Sequence, residues 1–399
     1  MIKAAFIRIA SVPLGMLYSL LKMLPVQKNK ILFLSRQSSK PSMDYLMLLS
    51  ELSQRVDDIQ VVFICNRIKP GFKSKLSFVR DMLKSLYHLA TSYVCVLDSY
   101  WPTVSLFEHR PELTVIQMWH AIGKIKQSGL QTVGKPGGRN KDLAEALHMH
   151  AHYDYVIAGA PFWNDFYCQC FGCNESQLLN YGLPRMDFLS SSMEETARAI
   201  KETYPCLSER KVVLYAPTFR KGATKNHLDL IESLSKEDCE VVVKAHLNQD
   251  LEVGNVLRCN EYSSMQLLSV ADVLITDYSA IALEAATAGI PTLYYLYDYD
   301  EYREKNGFNM NISEEMPSCV AYDSNALQAK VHEALVGKYP YDEFRRYQDK
   351  FLVADRGHAT KDIASFVLGC LSSSSEKSNK EKKTNSVYAV KRGCACIHL

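Results

Sequence analysis

Between Ser263 and Tyr302 the chain reads SSMQLLSVADVLITDYSAIALEAATAGIPTLYYLYDYDEY, and the order of its parts leaves few folds open. A short helix, opened by a Ser263…Gln266 capping box, leads into the apolar run Val273 to Thr276, which is bounded and short enough to be a buried strand. The stretch from Ala280 to Gly289 is rich in Ala, Leu and Glu and predicts a helix with Ser279 at or near its N-cap and Gly289 as its stop. A second buried strand, Thr292 to Tyr295, completes a strand-helix-strand unit. In parallel sheets ligands sit beyond the carboxyl ends of the strands, so Asp277, Tyr278 and Ser279 lie where an anion would sit. Helix capping by Asp277 and Ser279 is the competing reading.

The same alternation runs through the rest of the chain. Ile31 to Ser35, Val61 to Cys65, Tyr93 to Asp98, Val115 to Met118 and Tyr155 to Ala158 read as strands, with helices around 43–55, 75–90, 141–152 and 161–171. A second series runs through Val212 to Ala216, Val241 to Lys244, Val273 to Thr276 and Thr292 to Tyr295. Two doubly wound α/β domains are therefore expected at 31–190 and 211–340, joined by a charged connector at 191–210 and closed by a helix from about Tyr341 to Leu368 within 341–370. The polar tail, 371–399, is rich in Ser and Lys and cannot bury enough surface to fold alone. Its last four residues, Cys396 to Leu399, have the length of a prenylation box but carry His398 at a normally aliphatic position, and the match reads as chance.

Residues 1–30 are apolar and basic, with no acidic residue before Asp44. Lys3, Arg8 and Lys22 leave only Ile9 to Leu21 uncharged, short for a spanning helix, and no clean cleavage pattern follows. An interfacial helix on an anionic membrane surface is expected, with a terminal helix packed on its domain as the alternative. The net charge of +2 argues against a general nucleic-acid binder. Twelve scattered cysteines, several inside predicted strands, suit a reducing cytosol, and the trio Cys168, Cys170 and Cys173 lacks a second pair for zinc.

Chemistry-bearing residues gather at strand ends. His120 follows the strand Val115 to Met118 and precedes Gly123, Lys124 and Lys126, a setting for accepting a proton beside an anionic substrate. His246 follows Val241 to Lys244, and Arg220 follows Val212 to Ala216, where its guanidinium could clamp a phosphate. If two such domains face one another across a cleft, both histidines and the Asp277 loop point into it. His148 and His152 fall one turn apart on the helix expected over 141–152, but with no HExxH glutamate and no evident third ligand they read as structural or surface residues. Walker and GxGxxG motifs are absent from the sequence.

The ordered set Gln117-Met118-Trp119-His120, Gly182-Leu183-Pro184-Arg185-Met186-Asp187, Tyr215-Ala216-Pro217-Thr218-Phe219-Arg220, Lys244-Ala245-His246 and Leu274 to Ser279, followed by Tyr297 to Tyr302, resembles the CDP-glycerol glycerophosphotransferases of teichoic acid synthesis. The resemblance spans about Ile31 to Phe366 and implies a GT-B fold of two facing Rossmann-like domains in a peripheral enzyme at the cytoplasmic face of the membrane. It implies transfer of glycerol phosphate, or a related alditol phosphate, from CDP-glycerol or another CDP-alditol to a hydroxyl of a lipid-linked saccharide, with release of CMP and no cofactor. His120 would be the base and His246 a partner of the pyrophosphate. Thr218, Arg220, Lys244, Asp277, Tyr278 and Ser279 would hold the donor, with Trp119, Lys124 and Arg185 on the acceptor side. The chain departs from the family pattern at Ala121, commonly Gly, and at Lys244 to Leu247, commonly Arg-x-His-Pro. Ser279 to Ala285 equally resembles nucleotide-sugar glycosyltransferases, whose carboxylate role Glu284 would fill, and a non-catalytic membrane scaffold is a third reading.

Overall fold

The computed structural model describes residues 2–68, 70–191, 193–218, 225–244, 256–354 and 357–372. Among the described residues the chain divides into two compact units, one formed by Ile2–Trp119, Ala151–Tyr155 and residues from Thr360 to 372, the other by His120–His150 and Val156–Ala359.

In the first unit four parallel strands, β1 (Lys30–Ser35), β2 (Gln60–Cys65), β3 (Val94–Leu97) and β4 (Thr114–Gln117), lie in the order β2-β1-β3-β4. All six residues of β1 are buried, as a central parallel strand covered on both faces requires. The N-terminal helix Ile2–Leu21 contains Pro13 and packs beside the helix Phe72–Thr91. Its inner side is fixed by Tyr18, whose hydroxyl bonds His109 Nδ1 at 2.7 Å, while His109 Nε2 lies 2.9 Å from the carbonyl of Val104. A carbonyl only accepts, so Nε2 carries the ring proton and Nδ1 receives the tyrosine O–H. The stretch Lys3–Leu21 of this helix is long and apolar enough to cross a membrane by length and composition alone.

In the second unit β5 (Tyr155–Ile157) and β6 (Leu178–Leu179) pair in parallel through Val156 and Ile157. A further parallel sheet takes the order β11-β10-β9-β7-β8, built from β7 (Lys211–Tyr215), β8 (Cys239–Val243), β9 (Val273–Thr276), β10 (Thr292–Tyr295) and β11 (Val320–Ala321). The strand-helix-strand unit of the sequence is present, with Ser263 and Gln266 in a reciprocal capping box and Gly289 at φ 74° ending the helix.

Two expectations change, and two short strands appear that the sequence did not show. The helix Lys141–Ala146 stops well short of 152, and His148, His150 and His152 all have positive φ, so the one-turn spacing of His148 and His152 is not realised. The closing helix is two helices, Tyr341–Phe351 and 359–372, with Leu352, Val353 and Gly357 outside both. The two-residue strands β6 and β11 carry too few residues to show periodicity. The predicted tail lies beyond the described residues from 373 onward.

His150 is 4% exposed, and burial, reinforced by Lys124 and Arg139, lowers its pKa to about 3; burial brings His109 to about 4. Both stay neutral in the fold, whereas the unfolded chain takes up protons near pH 6.5. Their stabilisation is complete above that pH and falls as pH drops toward 4, by about 1.4 kcal/mol per unit for each. Burial likewise lowers His88 to about 4, so three histidines contribute; urea unfolding between pH 6.5 and 5 should show the combined slope, and His150→Gln should remove about a third of it, whereas an unchanged slope would mean that His150 is not held neutral.

Candidate active site

The carboxyl ends of β7 and β9 are adjacent, with Tyr215 opposite Ile275, and the two loops that leave them are fastened by one carboxylate. Asp277 is 2% exposed, and both of its oxygens accept from the Thr218 backbone N–H, at 3.1 and 3.0 Å. The Thr218 hydroxyl also donates to Asp277 Oδ1 at 2.5 Å. A buried carboxylate is costly unless hydrogen-bonded, so these bonds account for Asp277 sitting where it does. Thr276 adds a further tie, donating to the carbonyl of Ala216 at 2.7 Å.

The residue after Asp277 turns inward. Tyr278 is fully buried, its ring 4.6 Å from those of Tyr302 and Phe308, and its hydroxyl reaches Asp298 at 3.3 Å. Ser279 is half-buried and its hydroxyl has no hydrogen-bond partner among the described residues; the helix begins at Ile281 with Ala280 at its cap, so Ser279 does not cap it by its side chain.

Phe308 carries the connection to the loop that follows β4. Lys126 and Phe308 form an antiparallel bridge, Gln127 N–H donates to the carbonyl of Gly307 at 3.1 Å, and Asn309 N–H donates to that of Ile125 at 2.9 Å. The start of this loop is clamped separately. Tyr167 donates to the carbonyls of Ala121 and Ile122, and a Cβ on Gly123 would stand 2.6 Å from Leu283 and 2.7 Å from Trp163. Trp119 enters the loop at φ 62°, a left-handed conformation uncommon outside glycine, with its N–H on Gln117 Oε1 at 2.9 Å. His120 follows, half-buried, and belongs to the same compact unit as Thr218 and Asp277.

The model of the family described as CDP-Glycerol:Poly(glycerophosphate) glycerophosphotransferase matches residues 16–369. The chain belongs to that family. A teichoic acid ribitol-phosphate primase from Bacillus spizizenii is 27% identical over 94% of this chain and 100% of its own length. A teichoic acid glycerol-phosphate primase from Bacillus subtilis is 27% identical over 73% of this chain and 77% of its own. A solved structure of the wall teichoic acid polymerase TagF, a variant soaked with CDPG, gives a TM-score of 0.73 over 94% of this chain and 98% of that one at 19% identity. The fold is thus the GT-B-like α/β fold that the sequence resemblance implied. Membership of the glycerophosphotransferase family makes the chain a transferase. It favours alditol-phosphate transfer in teichoic acid synthesis over the nucleotide-sugar alternative.

For a glycerophosphotransferase, the remaining expected site residues fall into three groups. Arg220 and His246 lie outside the described residues. Arg185 and Glu284 are joined at 2.7 Å and both are largely buried, so the carboxylate that a sugar-transfer reading would use is already paired with a cation. Lys124 and Lys244 are turned to structural ends. Lys244 reaches the carbonyls of Cys259 and Asn260 at 3.3 and 3.5 Å, and burial lowers its pKa. Lys124, expected on the acceptor side, is instead 2% exposed, bonded to Ser128 Oγ at 2.8 Å and Cys170 Sγ at 2.9 Å over the Tyr167 and Phe171 rings, and burial lowers its pKa. Sequence reading also passed over His227, 1% exposed between the hydroxyls of Tyr215 and Tyr297, because nothing in its neighbours marks it.

Asp277→Ala strips the acceptor from two Thr218 donors and should cost about 1–3 kcal/mol in chemical denaturation. Asp277→Asn, which keeps one acceptor oxygen, should cost less; equal stability of all three proteins would show that the clamp is not formed.

Proposed function

We propose that the protein transfers glycerol phosphate, or a related alditol phosphate, from a CDP-alditol to a hydroxyl of a lipid-linked saccharide and releases CMP. The observation that supports this reading best is that the loop beginning at His120 runs along the segment Gly307–Asn309 and arrives at Thr218, beside Asp277, within one compact unit. The His120 loop and the Thr218–Asp277 pair are thereby linked through one set of contacts.

In the proposed step the acceptor oxygen attacks the phosphorus bearing the alditol. The new P–O bond forms in line with the bond that breaks to the bridging oxygen, CMP leaves with that oxygen, and the acceptor's proton passes to the His120 imidazole. His120 is half-buried at the start of this loop. Replacing it by Ala should lower transfer by about two to four orders of magnitude with an unchanged thermal melt. Undiminished turnover would take His120 out of the mechanism. In a thermal-shift series the wild-type protein should be stabilised by CMP and by one CDP-alditol, and not by UMP or UDP-sugars.

The proposed setting is the cytoplasmic face of the membrane, reached peripherally. Supporting it, the helix Ile2–Leu21 exposes Phe6, Ile9, Met16 and Leu20, and the neighbouring helix exposes Phe72, Leu76, Val79 and Leu83 at helical spacing. Lys3, Arg8, Lys73, Lys75, Arg80 and Lys84 supply exposed positive charge around these apolar stripes. Apolar burial and attraction to anionic lipid then act together. Ile9→Glu with Met16→Glu should weaken sedimentation with anionic vesicles by at least about tenfold, and undiminished sedimentation would exclude this surface.

A further inference from the structure

We infer that Tyr167 is a positioning residue for His120: its hydroxyl fixes the two carbonyls next along the chain and so sets where the proton acceptor stands. This rests on the reading of His120 as the base. Tyr167 lies on the helix Asn164–Phe171 and is 1% exposed, and its hydroxyl donates to the carbonyl of Ala121 at 3.2 Å and to that of Ile122 at 3.4 Å. The same oxygen accepts from the Gly159 N–H, just beyond β5. One hydroxyl thus ties the exit of β5 to the first residues after His120, using both its donor and its acceptor capacity. Burial raises its pKa, so the proton it shares between the two carbonyls is kept at neutral pH.

A phenylalanine would fill the same space, so the hydroxyl matters for what it bonds. The carbonyls of Ala121 and Ile122 belong to consecutive peptides, and both reach one donor because the chain bends from His120 to Gly123. The bend has little clearance on its other sides. A Cβ on Gly159 would stand 2.1 Å from the carbonyl oxygen of Ile122. One on Gly123 would meet Leu283 and the Trp163 indole, which is itself held by its N–H on the carbonyl of Phe351 at 2.9 Å. Leu283 belongs to the helix Ile281–Thr287, which follows the Asp277 turn. Against these close neighbours Tyr167 supplies the directional bonds that select one position for the bend. A shift of about 1 Å there would carry the imidazole off the acceptor proton, a misplacement worth about a hundredfold in rate.

The test is a double-mutant cycle on the full chain, read as CMP release from CDP-glycerol or CDP-ribitol with an alkyl-linked disaccharide as acceptor. Tyr167→Phe should lower kcat about ten- to hundredfold while KM for the donor stays within about twofold. In a His120→Ala background the same substitution should have no further effect, because the group it positions is gone. Tyr45→Phe is the control. Tyr45 is as deeply buried and donates to the carbonyl of Leu34 at 2.7 Å, so its loss should lower the melting temperature comparably and leave kcat unchanged. Unchanged kcat in Tyr167→Phe, an equal fold-loss with and without His120, or an equal loss of kcat in Tyr45→Phe would each overturn the inference. If wild-type protein turns over neither donor, or His120→Ala keeps wild-type turnover, the reading of His120 as the base for transfer fails and takes the inference with it.

Discussion

A single buried carboxylate sets the geometry on which the candidate site depends. Asp277 leaves β9 and takes up the Thr218 N–H and hydroxyl that leave β7, so the two loops cannot move independently. The bonds that make the charge tolerable are also the bonds that order the loops. Without that exchange the ends of β7 and β9 would be two flexible turns, and the side chains they carry would have no common frame.

The second constraint is aromatic. Tyr278, Tyr302 and Phe308 form a stacked group beneath the Asp277 turn, and Phe308 is also the residue against which Lys126 pairs. Packing of these rings around the buried Tyr278 therefore joins the loop that starts at His120 to the loop that starts at Asp277. Each ring removes a large apolar area from water, which makes the join stiff as well as close. In phosphoryl transfer, where the protein's contribution is mostly positioning and charge, stiffness between a base and the groups around the phosphate is what a catalyst needs.

Much of this was legible in advance. Strands β7, β8, β9 and β10 were marked by short apolar runs, because a parallel strand covered on both faces admits little else. The capping box at Ser263 and the stop at Gly289 follow local chemistry that does not depend on the rest of the fold. The motif residues at strand ends were found by the same logic. Less legible was how far each helix runs: the stretch to 152 has a helical pattern, yet three histidines with positive φ end it, a backbone choice made by tertiary contacts such as the packing of His150 against Phe171.

Sequence by itself determined the alternation that makes an α/β fold, and it determined which polar residues stand beyond the strands, since both follow from local periodicity and connectivity. Only the tertiary structure decided what those residues do once there. Lys124 and Lys126 are two positions apart and chemically identical, yet one is buried on Cys170 and the other meets Thr218, because side chains two apart in an extended segment project alike only if the segment stays straight. Arg185 and Glu284, nearly a hundred residues apart, neutralise one another through a contact that no local pattern encodes. Charge partners of this kind are set by long-range packing, where the low dielectric makes each pairing decisive.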